Sequence, residues 1–284
     1  MTELSPIDGC ARGVVAPTLA KDMFRMARYA PPPHLAPFLE HYWIVEWDLR
    51  ERPPYVQRTL PYPSVHIVFD TVRTGVFGVT TGAFDYELRG HGKVCGLKFL
   101  PGAFRPFLGR PLHTITDRVL PLSEVLGWDD LAAQRAVLDG ADDPAMIAAA
   151  DALLCASLPQ ADPQVERIGA ILRCVQATPG MTQVEDMAAG AGLSVRSLQQ
   201  LFSDYVGVSP KWTIRRYRLH EAADRLANGE DIDLTALALS LGYFDQAHFT
   251  SDFRKLVGKP PGRYREQARG QTAAAAAQAC STPC

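Results

Sequence analysis

Residues 237–265 read LALSLGYFDQAHFTSDFRKLVGKPPGRYR, and their pattern of small, aromatic and turn residues occurs a second time upstream, in MAAGAGLSVRSLQQLFSDYVGVSP at 187–210. Ala188 and Ala238 are 50 positions apart, as are Gly192 and Gly242. Phe202 and Phe253, Gly207 and Gly258, and Pro210 and Pro261 are each 51 apart. The same unit therefore stands twice, with one extra residue in its second turn. Each position has a physical reading. The alanine lets a second helix approach closely, and Gly192 or Gly242 makes a turn where positive φ is cheap. Ser194 or Asp245 caps the next helix. Thr182, with Glu185 three residues on, predicts a capping box at the start of the first unit. Leu198, Leu201 and Phe202 share one helical face, as do Phe249, Phe253 and Leu256, and Gly207 or Gly258 stops the helix. The pattern predicts helix-turn-helix, twice.

Between the units, Ser209–Asn228 reads SPKWTIRRYRLHEAADRLAN, a predicted helix with a proline near its start and Gly229 as its stop. Twenty helical residues span about 30 Å. One turn of B-DNA is about 34 Å. A connector of this length matches two recognition helices in successive major grooves on one side of a duplex.

Upstream the texture changes. Residues 31–120 hold Pro31-Pro32-Pro33, Pro53-Pro54, Pro61 and Pro63 between short apolar runs. Trp43, Val45, Trp47 and Leu49 alternate with Tyr42, Ile44, Glu46 and Asp48, and Val65–Phe69, Val76–Thr80 and Val94–Leu100 are further short runs. Such segments between turn residues predict strands, hence a β-rich barrel or sandwich. Helical texture returns at Asp129–Leu138, Pro144–Leu158 and Pro163–Ala177, with a hinge at 159–163. The expected organisation is α+β. It comprises a β-rich regulatory domain over 1–128, a helical connector or dimer contact over 129–162, the tandem helix-turn-helix domain over 163–269 and a disordered Gln/Ala-rich tail over 270–284.

Composition bounds the function. The chain has 284 residues, 47% hydrophobic and 21% charged, which excludes a fibrous or wholly disordered protein. It has no run of 18 apolar residues and no basic, apolar-cored N-terminus, so it is expected in the cytoplasm without a membrane partner. The six cysteines, Cys10, Cys95, Cys155, Cys174, Cys280 and Cys284, are scattered and read as unpaired thiols. His34, His41, His66, His91 and His113 form no metal motif, no cofactor signature occurs, and no nucleophile or nucleotide-binding motif is present. The expectation is no enzyme and no cofactor. The alternative is a catalytic N-terminal β-domain tethered to a DNA anchor. Trp43, Trp47, Phe69 and Phe77 are open to two readings, a small apolar pocket or ordinary core.

Residues 163–266 resemble the tandem helix-turn-helix domain of AraC/XylS-family transcriptional regulators. The second unit carries the family's Ala, its Gly-aromatic pair, Phe249, Phe253, Gly258, Pro261 and Tyr264-Arg265. The first carries Ala188, Ser194, Leu198, Phe202, Gly207, Ser209-Pro210 and Arg218-Leu219. Two positions depart: Thr213 stands where the family has an aromatic, and Ser251 where arginine is common. The segments YWIVEW, LPYPSVHIVFD and GLKFLPGAFRPFLG resemble a β-rich sensor-like module of a subgroup of these regulators.

The resemblance implies a sequence-specific regulator of double-stranded DNA, modulated through its N-terminal domain. It leaves room for a small-molecule effector, a contact with RNA polymerase and a homodimer. It places base contacts on Arg196, Gln199 and Gln200 of the first recognition helix, and on Gln246, Ala247, His248 and Ser251 of the second. Arg and Gln have the donors that major-groove guanine and adenine edges require. Ser203 also lies on the expected outward face of the first helix. Phosphate contacts fall to Ser194, Lys211, Arg215, Arg254 and Lys255. Net charge over the whole chain is only −2, but basic residues cluster locally, at Lys211-Arg215-Arg216-Arg218 and from Arg254 to Arg269. Arg218 is the strongest candidate there for a structural role instead.

Overall fold

The computed structural model describes residues 5–7, 22–160, 162–178, 180–228 and 232–268. Gly229, the tail from 270 and Cys10, Cys280 and Cys284 lie outside them. The N-terminal part is built on a six-stranded antiparallel sheet. Its strands are β1 (Arg25–Tyr29), β2 (Leu39–Leu49), β4 (His66–Asp70), β5 (Gly75–Phe77), β7 (Gly90–Phe99) and β8 (Val119–Leu120), in the order β1-β2-β7-β4-β5-β8. β3 (Tyr55–Thr59) and β6 (Phe84–Leu88) form a separate two-stranded ribbon. The sheet is open, with β1 and β8 as its edges, so it closes no barrel.

The alternation in β2 splits the sheet into two faces. Tyr42 and Ile44 point with Ile67, Phe69, Cys95 and Leu97 into the main core, all fully buried. That face is covered by α3 (Asp130–Leu138) and α4 (Asp143–Cys155), which follow the short helices α1 (Arg105–Leu108) and α2 (Leu122–Leu126). Asp129 and Asp142 cap α3 and α4, accepting from Ala132 N and Ala145 N at 2.7 and 2.9 Å. Polar contacts anchor α4 to the sheet. Arg25 and Tyr29 of β1 both reach Asp143, at 2.7 and 2.6 Å, and the Tyr42 hydroxyl donates to Asp151. Phe69 belongs to this core.

In the C-terminal part the described regular elements are all helices. α5 (Pro163–Ala177) leads into α6 (Val184–Gly190) and α7 (Val195–Tyr205), the long α8 (Pro210–Ala227), then α9 (Leu234–Ser240) and α10 (Gln246–Val257), with residues 261–268 helical after it. The repeat in sequence is a repeat in hydrogen bonding. Leu193 N donates to Ala188 O at 2.9 Å, and Tyr243 N donates to Ala238 O at 3.0 Å. Ser194 caps α7 by accepting from Ser197 N at 3.1 Å, and Asp245 caps α10 by accepting from His248 N at 2.7 Å. The predicted capping box at Thr182 does not form. Gln183 is the N-cap of α6 and no side chain caps it. Thr182 instead packs against the second unit, where a Cβ on Gly242 would meet its Cβ at 2.6 Å.

α8 is shorter than predicted by one residue at each end, because Ser209 and Asn228 are its caps. Its eighteen residues span about 27 Å. Leu198, Phe202, Ile214 and Tyr217 join the main core, whereas Leu219, Ala222, Ala223 and Leu226 form a second core with Leu237, Phe249, Phe253 and Leu256. Phe253 is fully buried at the centre of that second core, with Phe249 and Tyr264 at ring distances of 5.6 and 5.7 Å. Truncating it leaves a cavity that its neighbours only partly close, so Phe253→Ala is expected to cost about 3–5 kcal/mol. Urea unfolding of the full chain measures this; a loss below about 1 kcal/mol contradicts the packing described.

Candidate nucleic-acid interface

The apolar face of each recognition helix decides what its opposite face can do. With Leu198 and Phe202 fully buried, Arg196, Gln199 and Gln200 are left exposed on α7. With Phe249, Phe253 and Leu256 buried, Gln246, Ala247 and His248 are exposed on α10, while Ser251 is half-buried. Among the phosphate candidates Ser194, Lys211, Arg215, Arg254 and Lys255 are all exposed. Ser194 already spends its hydroxyl on the helix cap.

Two cations of the expected basic cluster are not on the surface. Arg218 is 1% exposed; its guanidinium donates to Val175 O on α5 and to Glu221 Oε2, the latter at 2.5 Å. Arg216 is 5% exposed, donates to Thr81 O at 2.5 Å and lies over the Trp212 ring at 4.6 Å. Burial holds the Arg216 guanidinium below its usual range, at about 10. Both therefore join structural elements, and the basic face of α8 reduces to Lys211 and Arg215. Thr213 is buried, where an aromatic was expected, and donates to Ser209 O at 3.1 Å.

The sequence reading missed Asp252. This half-buried carboxylate on α10 pairs with Arg215 and lies 3.7 Å from His248 Nε2 and 3.9 Å from Lys255 Nζ. Three candidate contacts, Arg215 of α8 and His248 and Lys255 of α10, thus converge on one acid. The signal was present as the i, i+3 and i, i+4 spacing of 252 with 255 and 248. Gln246 is likewise engaged, accepting from Thr235 Oγ1 at 2.9 Å.

The N-terminal domain reaches both units. A 3-10 turn, Leu112–Ile115, sits against the C-terminal end of α7. Thr116 Oγ1 donates to Gly207 O at 2.6 Å, Arg105 Nε pairs with Asp204 at 2.7 Å, and His113 Nδ1 lies 3.1 Å from Ser203 Oγ. Ser203, expected outward, is therefore covered. Gly207 has φ of +86°, and a Cβ there would meet Leu112 O at 3.1 Å. The equivalent Gly258 has φ of +87°, and a Cβ there would meet the Arg58 guanidinium at 2.3 Å. Leu60 enters the second core, and the Tyr62 ring stacks on His220 at 4.0 Å. The docked segments meet the C-terminal end of α7 and leave Arg196, Gln199 and Gln200, nearer its start, free.

A family model described as a helix-turn-helix domain matches residues 187–267, and one described as a domain of unknown function (DUF6597) matches residues 27–121. The "RCS-specific HTH-type transcriptional activator RclR" of Escherichia coli (strain K12) is 34% identical over 104 residues, covering 36% of each chain. The chain thus spans about a third of the length of that relative. The "Probable transcription factor PqrA" of Proteus vulgaris is 33% identical over 84 residues, 30% of this chain and 68% of that one. A solved probable AraC family transcriptional regulator from Rhodopseudomonas palustris CGA009 is 28% identical, with a TM-score of 0.33, over 36% of this chain and 97% of that one. A tandem helix-turn-helix protein is the class that the repeat defines. Within it, this chain belongs to the AraC/XylS family of transcriptional regulators.

The seam between the domains predicts a pH dependence. Burial, with Arg216 and Lys98 nearby, pushes the His220 imidazole down to about 3 although it reaches Pro61 O at 3.3 Å. Burial likewise pushes His66 down to about 3. Unfolded, both take up protons near pH 6.5. Between those values the unfolded chain binds more protons, so stability is complete above about pH 6.5 and is lost as pH falls toward 3. From pH 7 to 5 the loss is about 2 kcal/mol per histidine. Urea midpoints should drop accordingly, and His220→Gln should remove about half of the drop. A midpoint flat across this range contradicts neutral burial.

Proposed function

We propose that the protein is a sequence-specific DNA-binding transcriptional regulator whose N-terminal domain modulates it. The observation that carries this reading is the pair of recognition helices joined to one buried helix, each with its polar face outward. α7 enters a major groove with Arg196, Gln199 and Gln200. Arg196 is suited to guanine O6 and N7, and the glutamines to adenine N6 and N7. α10 enters the next groove with Gln246, Ala247, His248 and Ser251. The short side chains of Ala247 and Ser251 give it fewer reaching groups, so the first unit carries more of the base discrimination. Ser194, Lys211, Arg215, Arg254 and Lys255 hold the flanking phosphates.

Asp252 gives the second unit a built-in competitor. On free protein it neutralises Arg215 and draws His248 and Lys255 inward. On DNA, Arg215 and Lys255 exchange the carboxylate for phosphate and His248 turns to a base edge.

The N-terminal domain has a regulatory task in this reading, not a catalytic one, and the protein acts in the cytoplasm. No described helix is long and apolar enough to cross a membrane. Among described residues, no three His, Cys, Asp or Glu side chains are grouped to hold a metal ion. Regulation follows from the docking, since segments of one domain touch the C-terminal end of each recognition helix.

Selecting bound sequences from a random DNA pool with the full chain tests the reading. One enriched motif with two half-sites is expected. With that motif, Arg196→Ala or Gln200→Ala should lose about 1–3 kcal/mol while non-specific binding persists. Lys211→Ala should weaken all sequences alike and lower the salt slope by about 1. Equal specific and non-specific losses for Arg196→Ala, in a folded variant, would reassign it to the backbone.

A further inference from the structure

The face of the sheet turned away from α3 and α4 is the floor of a cavity of about 1200 Å³. Strand register lays that floor out in rows. His41, Lys98, His66 and Phe77 are adjacent in one row. Trp43, Gly96 and Val68 form the next, then Val45, Val94 and Asp70, and finally Trp47 and Gly92. Each tryptophan is thus paired with a glycine of β7, for a steric reason. A Cβ on Gly96 would meet the Trp43 ring at 2.1 Å, and one on Gly92 would meet the Trp47 ring at 2.5 Å. Both indoles lie across the β7 backbone and pave it with flat aromatic surface. Trp43, Trp47 and Phe77 therefore line the cavity, as Phe69 does not.

The walls come from both domains. The β3–β6 ribbon supplies Thr59, Phe84, Tyr86 and Leu88, and α5 supplies Glu166, Gly169 and Arg173. The volume exceeds that of ordinary ligand sites. Its buried charges are matched within the protein. Lys98 pairs with Glu40 at 3.0 Å and lies over the Tyr62 ring at 4.4 Å, and Asp70 accepts from the Tyr86 hydroxyl at 2.7 Å. Two hydrogen-bonding groups at the floor can meet a ligand. His66 Nδ1 accepts from Trp43 Nε1 at 3.2 Å, and its neutral ring carries the proton on Nε2, a donor. Two residues along the chain, Ser64 also lines the cavity, and its hydroxyl is buried with no partner among the described residues.

We propose that this cavity binds an uncharged, planar aromatic molecule carrying a hydrogen-bond acceptor, with its ring over Trp43 and Trp47 and its acceptor toward His66 and Ser64. The proposal rests on the reading of the N-terminal domain as regulatory, and it names the ligand class. A charged ligand over Trp43 and Trp47 would have to displace the Lys98–Glu40 pair or leave its own charge unmatched; the exposed cations Arg73 and Arg173 also line the cavity, which makes the comparison with charged dyes decisive. The occupant touches α5, the first helix of the DNA-binding domain, and the sheet at once. Binding therefore biases how the two domains sit together.

The probe is Nile red, a neutral fused-ring dye with one ring carbonyl, titrated into the full chain without DNA. Saturable one-to-one binding with quenching of tryptophan fluorescence is expected. Val45→Trp, which fills the floor between the two indoles, should weaken it about tenfold or more, and Trp43→Leu, which removes a stacking surface, about tenfold. The anionic dye 1-anilinonaphthalene-8-sulfonate and the cation ethidium should each bind at least about tenfold more weakly than Nile red. Non-saturable binding, preference for a charged dye, or affinity unchanged in both folded variants overturns the proposal. DNA titration of the dye-free wild-type chain runs alongside. Absent DNA binding with Nile red still seated would sink the proposed function and leave this site standing.

Discussion

One helix belongs to two cores, and the arrangement of everything else follows from it. Eleven of the eighteen residues of α8 are buried, so only a narrow solvent face, with Lys211 and Arg215, is left. Its first half, through Ile214 and Tyr217, packs into the core shared with the N-terminal domain. Its second half, through Leu219, Ala222, Ala223 and Leu226, packs into the core of the second unit. The change of core falls at Arg218, whose buried guanidinium ties α8 to α5 through Val175 O. A helix turns by about 100° and rises about 1.5 Å per residue, so a continuous α8 fixes both the spacing and the phase of the two units.

The N-terminal domain exploits the repeat. It meets the two units at equivalent points, the glycines that stop the recognition helices. Thr116 and Leu112 crowd Gly207, and Arg58 crowds Gly258. The Leu112–Ile115 turn follows the sheet core and Arg58 lies on the β3–β6 ribbon, so the two contacts report on two parts of one domain. The cavity lies between the sheet and that ribbon, with α5 as a further wall. A molecule that separates ribbon from sheet would be felt at the second unit through Arg58 and at the first through α5.

The double helix-turn-helix was legible because its signals are local. Gly192, Gly242, Ser194 and Asp245 do in the structure what their residue types do in any chain. Thr182 had the same local signal for a cap but packs against Gly242 of the other unit, a tertiary contact that no spacing reveals. Arg216 read as surface charge because it stands in an acid-free segment, yet it is buried against the carbonyl of Thr81, whereas Arg218, the candidate there for a structural role, is buried and donates to Val175 O. The strand texture of the N-terminal half was legible, but the open edge of the sheet was not, since closure depends on which strands pair. The aromatic floor also needed the register. Trp43 and Trp47 were visible as alternating residues, but only the pairing with Gly96 and Gly92 shows why their rings lie flat.

The central claim is that α8 presents two recognition helices to one face of a duplex at a fixed separation. Hydroxyl-radical footprinting of the full chain on its selected DNA site tests it most directly. The account predicts two protected patches about 10 base pairs apart, on the same side of the helix, gained together as protein is added. A single patch, or two that fill independently, would contradict a rigid connector between two reading units.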